Sequence, residues 1–278
     1  MPKDLYCYDD GKYILLKELA ISPDNLAYGR SFGVFDFLRS QDGVILFLKD
    51  HLARFIESQK FLLGDIHFDQ KKLNKIINEL NERNNRDMST FKIVLSGTLK
   101  NSRLVPHLII INENYSAFNK SLYQNGAKLL LEEYTRVNPG YKSIYYLNTF
   151  RRYNEMQDQG AIDLLFYNKG FVTEASRSNV YMVKNGAIYT PASSILNGVV
   201  RKNILEHLST DYQLQVQDFT LNELLNADEV FITSTLKKIM PIVRLGEHTI
   251  ADGTIGNYTQ AIMTSFEQLV DSYIQNYI

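Results

Sequence analysis

Over the first third of the chain, short apolar runs alternate with two amphipathic stripes, and this most narrows what the chain can fold into. Leu52, Phe55, Ile56 and Leu63 follow Asp50 at helical spacing, and Leu73, Ile76, Ile77 and Leu80 recur between Asp69 and Glu82. A period near 3.6 residues places each set on one face of a helix. Around them Gly11-Lys12-Tyr13-Ile14 reads as a turn and strand, and residues 44–48 as a buried strand after Gln41-Asp42-Gly43. Residues 91–95 and 106–111 read as strands joined by a polar loop. Helices with one apolar stripe need a second layer to cover it, and with strands alternating along the same stretch the pattern predicts α/β packing.

Between Asn112 and Gln124 the periodicity fades, which sets a boundary: an N-terminal α/β domain over 1–115, a linker over 116–124 and a second domain over 125–278. In the second part, residues 127–132 read as a strand, Asn138-Pro139-Gly140 as a turn, and residues 144–159 as a helix ended by Gly160. Strands are expected at 163–167, 180–184 and 228–233, a hairpin turn at Lys184-Asn185-Gly186, and a helix at 198–209.

Composition excludes several functions. A formal net charge of −1, with basic residues clustered only in pairs, gives no footprint for nucleic acid or an anionic membrane surface. No apolar run approaches the length of a membrane span. The single Cys7 excludes an internal disulfide, and His51 and His67 lack partners at metal-ligand spacing, so no metal is expected. With no signal-type apolar core near the N-terminus, the expectation is a cytoplasmic protein acting on small molecules. Tyr28-Gly29-Arg30-Ser31-Phe32-Gly33 is not a dinucleotide fingerprint.

The informative stretch runs from Gly140 to Thr235. It contains Tyr141-Lys142-Ser143-Ile144, then Val172-Thr173-Glu174-Ala175-Ser176-Arg177-Ser178-Asn179-Val180, Tyr189-Thr190-Pro191, Ile195-Leu196-Asn197-Gly198-Val199-Val200-Arg201 and Ala227-Asp228-Glu229-Val230-Phe231-Ile232-Thr233-Ser234-Thr235. In order and spacing these resemble the class IV aminotransferases, which include branched-chain and D-amino-acid aminotransferases and aminodeoxychorismate lyase. Asp50-His51-Leu52-Ala53-Arg54 resembles that family's His-x-x-Arg. The resemblance covers nearly the whole chain.

It implies a two-domain α/β (α+β) fold, with an N-terminal α/β sandwich and a barrel-like C-terminal domain, assembled as a homodimer. It also implies pyridoxal 5′-phosphate as cofactor, held through an internal aldimine on Lys142, because the aldehyde needs an amine and the same amine can move the substrate's α-proton. Glu174 matches the carboxylate that pairs with the pyridine nitrogen. Phosphate is assigned to Arg54, to the helix start at Gly198, Val199 and Val200, and to Ser234 and Thr235. A helix-surface ion pair is the rival reading for Arg54.

Two positions depart from the family: Val200 stands where a threonine is common, and Tyr145 stands three after the lysine where asparagine is frequent. Tyr145 or Tyr146 can face cofactor and substrate or serve as core. For substrate, the candidates are Tyr28 and Phe35 as pocket wall and Arg39, Lys100 or Arg103 for a carboxylate. The expected activity is amino-group transfer between an amino acid and a 2-oxo acid. The alternatives are a lyase eliminating pyruvate and a catalytically idle cofactor-binding relative.

Overall fold

The computed structural model describes residues 4–209 and 211–277. The chain groups into two compact units. The first comprises residues as far as Ser116, with Tyr141–Tyr145 and the chain from Tyr273. The second comprises Ala117–Gly140 and Tyr146–Ser272.

The first unit is an antiparallel sheet in the order β2-β1-β6-β5-β3-β4. Its strands are β1 (Tyr6–Asp9), β2 (Lys12–Leu15), β3 (Val34–Gln41), β4 (Val44–Ile45), β5 (Ser89–Lys100) and β6 (Arg103–Asn114). Helices α1 (Leu26–Arg30), α2 (Leu48–Leu63) and α3 (Gln70–Asn84) complete it. The two amphipathic stripes do what their spacing predicts. Leu52 and Phe55 of α2, with Leu73, Ile77 and Leu80 of α3, are fully buried in one core with Leu38, Phe91, Ile93 and Ile110 of the sheet. Burying one such side chain contributes about 1.5–3 kcal/mol. Asp69 caps α3 by accepting from the Lys72 amide at 2.7 Å.

Two expectations change here. The apolar run 44–48 is a strand only over Val44–Ile45; Phe47 turns left-handed (φ 51°) and α2 begins at Leu48. Burial of residues 45–48 satisfies their apolar character in either conformation, so the run alone does not distinguish them. The polar loop after residue 95 is instead ladder, since β5 and β6 pair out to Lys100↔Arg103 across Asn101 (φ 49°) and Ser102 (φ 60°). Two left-handed residues match the twist of a tight hairpin, and a solvated face lets polar residues continue the strands.

The second unit carries a nine-stranded sheet in the order β12-β11-β10-β13-β14-β7-β8-β9, with β15 on β14. The strands are β7 (Ala127–Glu133), β8 (Ala161–Asn168), β9 (Phe171–Ala175), β10 (Asn179–Lys184), β11 (Ala187–Thr190), β12 (Leu214–Val216), β13 (Glu229–Ser234), β14 (Lys238–Leu245) and β15 (His248–Thr249). Although β9 ends this order, Ala175 bridges Ser178 at the start of β10. The sheet therefore curls back toward its other half, the barrel-like form expected. Asn185 (φ 50°) and Gly186 (φ 78°) make the predicted β10–β11 turn.

Helix α4 (Lys120–Asn125) occupies part of the stretch read as a linker. The single helix expected over 144–159 is two short ones, α5 (Leu147–Phe150) and α6 (Tyr153–Asp158). Tertiary pairing overrides the helical pattern at its start: the Ile144 amide donates to the Gly33 carbonyl at 3.1 Å, and Ser143 bridges Val34. Helices α7 (Val199–His207) and α8 (Leu221–Leu225) follow, and α9 (Asn257–Gln275) buries Ile262, Phe266, Val270 and Ile274 at four-residue steps. Among the described residues, no helix is long and apolar enough to cross a membrane.

Candidate active site

Chemistry-bearing side chains gather in each unit. In the first, Lys142 lies on an extended segment tied to β3 and α2. Its carbonyl accepts from the Phe35 amide at 2.9 Å, and its amide donates to Ser58 Oγ at 3.3 Å. The Lys142 Nζ stands 4.7 Å from the centroid of the Phe35 ring, a cation–π distance. Tyr141 stacks on Phe61 of α2 with centroids 4.0 Å apart. Both the backbone and the stem of this lysine are thus aimed by the sheet edge.

One helical turn on α2 presents His51 and Arg54 to the same strand. Asp36 is fully buried; its Oδ2 accepts from Arg54 Nε at 2.9 Å and its Oδ1 from Arg54 Nη2 at 2.7 Å. His51 Nδ1 is 2.8 Å from Asp36 Oδ1. Burial pushes the Asp36 carboxyl up, but the charges of Arg54 and His51 outweigh it and hold the group well below the usual carboxylate range. Burial pushes the His51 imidazole down, and neighbouring Arg54 and Lys142 add to that against the pull of Asp36. Arg54 is therefore held by a buried carboxylate, and is no helix-surface ion-pair partner.

In the second unit Glu174, on β9, is buried with both oxygens engaged. Oε1 accepts from Arg136 Nε at 2.6 Å and Oε2 from the Leu196 amide at 3.0 Å. Arg136 reaches on to the Pro139 carbonyl, so one guanidinium joins the turn before Lys142 in sequence to the Glu174 carboxylate. Burial raises the Tyr146 phenol to about 12, with Arg136 lowering it and Glu174 and Asp163 raising it. Of the two tyrosines, Tyr146 faces this charged group, while Tyr145 is 39% exposed.

Gly198 caps α7 with extended backbone, followed by Val199 and Val200 in the first turn. A Cβ at Gly198 would lie 2.0 Å from Asn179 Oδ1, so no other residue fits there without movement. Asn179 donates to the Leu196 carbonyl at 2.7 Å and pairs with Thr233 in the β10–β13 ladder. It therefore sits between the α7 N-terminus and the end of β13, where Ser234 and Thr235 begin the turn into β14. The backbone N–H groups in the first turn of a helix have no intrahelical acceptor and favour a negative charge.

The substrate candidates are scattered within the first unit. Phe35 lies under the Lys142 amine. Arg39 lies on the same strand, roughly 13 Å along; it is buried, its Nη1 is 3.4 Å from Gln41 Oε1, and it packs near the Tyr115 ring. Tyr28 on α1 is 82% exposed, and Lys100 and Arg103 flank the tip of the β5–β6 hairpin. No cluster of three or more His, Cys, Asp or Glu suited to a metal occurs among the described residues.

Sequence reasoning missed Asp36 and Arg136. Asp36 had a signal: it shares strand parity with buried Val34, Leu38 and Ser40, and a carboxylate on that face requires a cationic partner. Arg136 had none, because its partner is 38 residues away.

A family model described as amino-transferase class IV matches residues 33–245. The chain is 28% identical over 272 residues to the D-alanine aminotransferase of Bacillus licheniformis, covering 94% of this chain and 95% of that one. It is 28% identical over 277 residues to a putative branched-chain-amino-acid aminotransferase of Methanocaldococcus jannaschii, with the same coverage. Among solved structures, a branched-chain amino acid aminotransferase of T.th. with pyridoxamine 5′-phosphate superposes with a TM-score of 0.86 at 23% identity, covering 96% of this chain and 94% of that one.

Proposed function

Because the chain belongs to the amino-transferase class IV family, we propose that it transfers an amino group between an amino acid and a 2-oxo acid, using pyridoxal 5′-phosphate bound through Lys142. The observation that carries this reading is the donor set. An amine stands on an aromatic face, a buried carboxylate is fixed by two donors, and a helix opens at Gly198 with no side-chain cap. These are the groups that an aldehyde, a pyridine nitrogen and a phosphate require, so the residues fit the cofactor. When bound, it supplies a conjugated electron sink for the substrate's α-carbon.

The chain's own residues supply the rest. Lys142 Nζ would hold the cofactor through its aldehyde, and the same amine would take and return the proton of the substrate's α-carbon. Glu174 would pair with the ring nitrogen and favour its protonated form, with Oε1 held in place by Arg136. Phosphate falls to Arg54, the backbone N–H groups of Gly198, Val199 and Val200, and the hydroxyls of Ser234 and Thr235. Val200 contributes no side-chain donor. Arg54 reaches its task already oriented by Asp36. Phe35 walls the substrate side of Lys142, and Tyr28, Arg39, Lys100 and Arg103 remain proposals for recognition of the carboxylate or side chain.

The same reading makes the enzyme a cytoplasmic homodimer. Its support is the free thiol of Cys7 and the exposed Leu147, Phe150 and Tyr153 on one stretch of α5 and α6. Transfer is preferred to elimination of pyruvate, since the relatives above bear aminotransferase names. The test is a half-reaction screen with amino acids of both hands, including D-alanine and the branched-chain series. The expected result is conversion of bound cofactor to its pyridoxamine form by at least one donor; failure of every donor in a fully loaded sample would overturn the proposal.

A further inference from the structure

A lysine of the second unit is buried and has no part in the chemistry above. Lys237, in the turn between β13 and β14, is 3% exposed, and its Nζ lies 2.9 Å from Oδ2 of Asp163, which is wholly buried on β8. The same Nζ donates to Ser178 Oγ at 3.1 Å. Asp163 also accepts from the Ser176 hydroxyl and, at 3.0 Å, from the Leu164 amide, with Arg177 Nε at 3.6 Å. The backbone of Lys237 is held as well: its amide donates to Ser234 Oγ at 3.1 Å and its carbonyl accepts from Tyr123 OH at 3.1 Å. The residue after it, Lys238, has a left-handed backbone (φ 52°), an uncommon conformation for a residue with a side chain.

The cluster has a direction. Ser176 and Ser178 lie on the link leaving Glu174, and Ser234 and Thr235 lie three and two residues before Lys237. Asp163 therefore joins the segment meant for the ring nitrogen to the turn meant for the phosphate. Stability is a poor reason for such a pair: desolvating two charges offsets most of their attraction, and an apolar pair of similar volume is commonly as stable or more so. What an ion pair with this many hydrogen bonds provides is a fixed position.

We propose that Lys237 and Asp163 are positioning residues that hold the β13–β14 turn, and with it the Ser234 and Thr235 hydroxyls, at a set distance from Glu174 for a phosphate-bearing cofactor. This inference rests on the cofactor reading above. The test uses two ligands of the apoprotein: pyridoxal 5′-phosphate and pyridoxal, which lacks the phosphate. The main variant is Lys237→Met/Asp163→Asn, which removes both charges, nearly conserves volume and leaves Ser176 an acceptor. Lys237→Met alone, which strands a buried carboxylate, is the companion and should be less stable than the double variant.

The double variant should keep its apo unfolding temperature within about 3 °C, because burial is conserved and no charge is stranded. Its dissociation constant for pyridoxal 5′-phosphate should rise roughly ten- to a hundredfold through misplacement of the phosphate donors, while that for pyridoxal changes less than about threefold. Equal weakening of both ligands, or unchanged affinity for both, overturns the proposal. So does a collapse of apo stability in the double variant. Wild-type apoprotein that binds neither aldehyde would instead sink the cofactor reading, and this inference with it.

Discussion

Replacing Arg136 with methionine removes the cation of a buried pair, together with its bond to the Pro139 carbonyl. The Arg136 Nε lies 2.6 Å from Glu174 Oε1, and the two side chains are 8% and 5% exposed. Methionine refills most of the volume but leaves a carboxylate oxygen buried without its cation. Removing one partner of a buried pair costs about 3–5 kcal/mol. The low end applies here, because Oε2 keeps the Leu196 amide at 3.0 Å. For a chain of this size about 3 kcal/mol corresponds to a fall of roughly 6–12 °C in apo unfolding temperature. The cofactor adds the second half of the prediction. If its ring nitrogen faces Glu174 as a cation, loading restores a counter-charge, and the fall should be visibly smaller in the loaded protein. Calorimetry of wild type and variant, apo and loaded, reads both numbers. An apo shift under about 1 °C would refute the assigned energy of the pair; equal shifts in both forms would refute the placement of Glu174 at the ring.

Gly198→Ala would place a methyl 2.0 Å from Asn179 Oδ1, so the α7 N-terminus must move. Overpacking of this kind costs about 1–3 kcal/mol, and affinity for pyridoxal 5′-phosphate should fall more than affinity for pyridoxal in the same titration. Acid stability follows the buried Asp36–His51–Arg54 group. Asp36 has a folded value below its unfolded 3.8, so its contribution is complete above 3.8 and erodes as pH falls toward the folded value. His51 is folded with a value below its unfolded 6.5, so its neutral form begins to cost stability as pH drops below 6.5. Both slopes have the same sign, and chemical denaturation of His51→Gln should show a flatter stability profile just below pH 6.5 than wild type.

The legibility of this chain in its sequence follows the range of each interaction. Turn chemistry is local, so Lys184-Asn185-Gly186 is readable as a hairpin turn, and the α3 stripe predicts a helix that the fold contains. Motif order was equally plain, because Lys142, Glu174, Gly198 and Thr235 each sit in a short distinctive string. What failed was non-local. The 144–159 pattern reads as one helix until Ile144 pairs with Gly33, more than a hundred residues upstream. Residues 44–48 are apolar in any conformation, so burial concealed where strand ends and helix begins. The partners Arg136–Glu174 and Asp163–Lys237 lie 38 and 74 residues apart and only the tertiary fold brings them together. Arg136 and Asp36, which no motif names, are thus the residues bonded to Glu174 and Arg54.

The central claim is that Lys142 carries the cofactor, and covalent trapping tests it most directly. Wild-type protein loaded with pyridoxal 5′-phosphate is reduced with borohydride, digested and mapped by mass spectrometry. The account predicts a phosphopyridoxyl group on the peptide containing Lys142 and none on that containing the buried Lys237. A label on Lys237 or any other lysine, with Lys142 unmodified in a fully loaded sample, would contradict it.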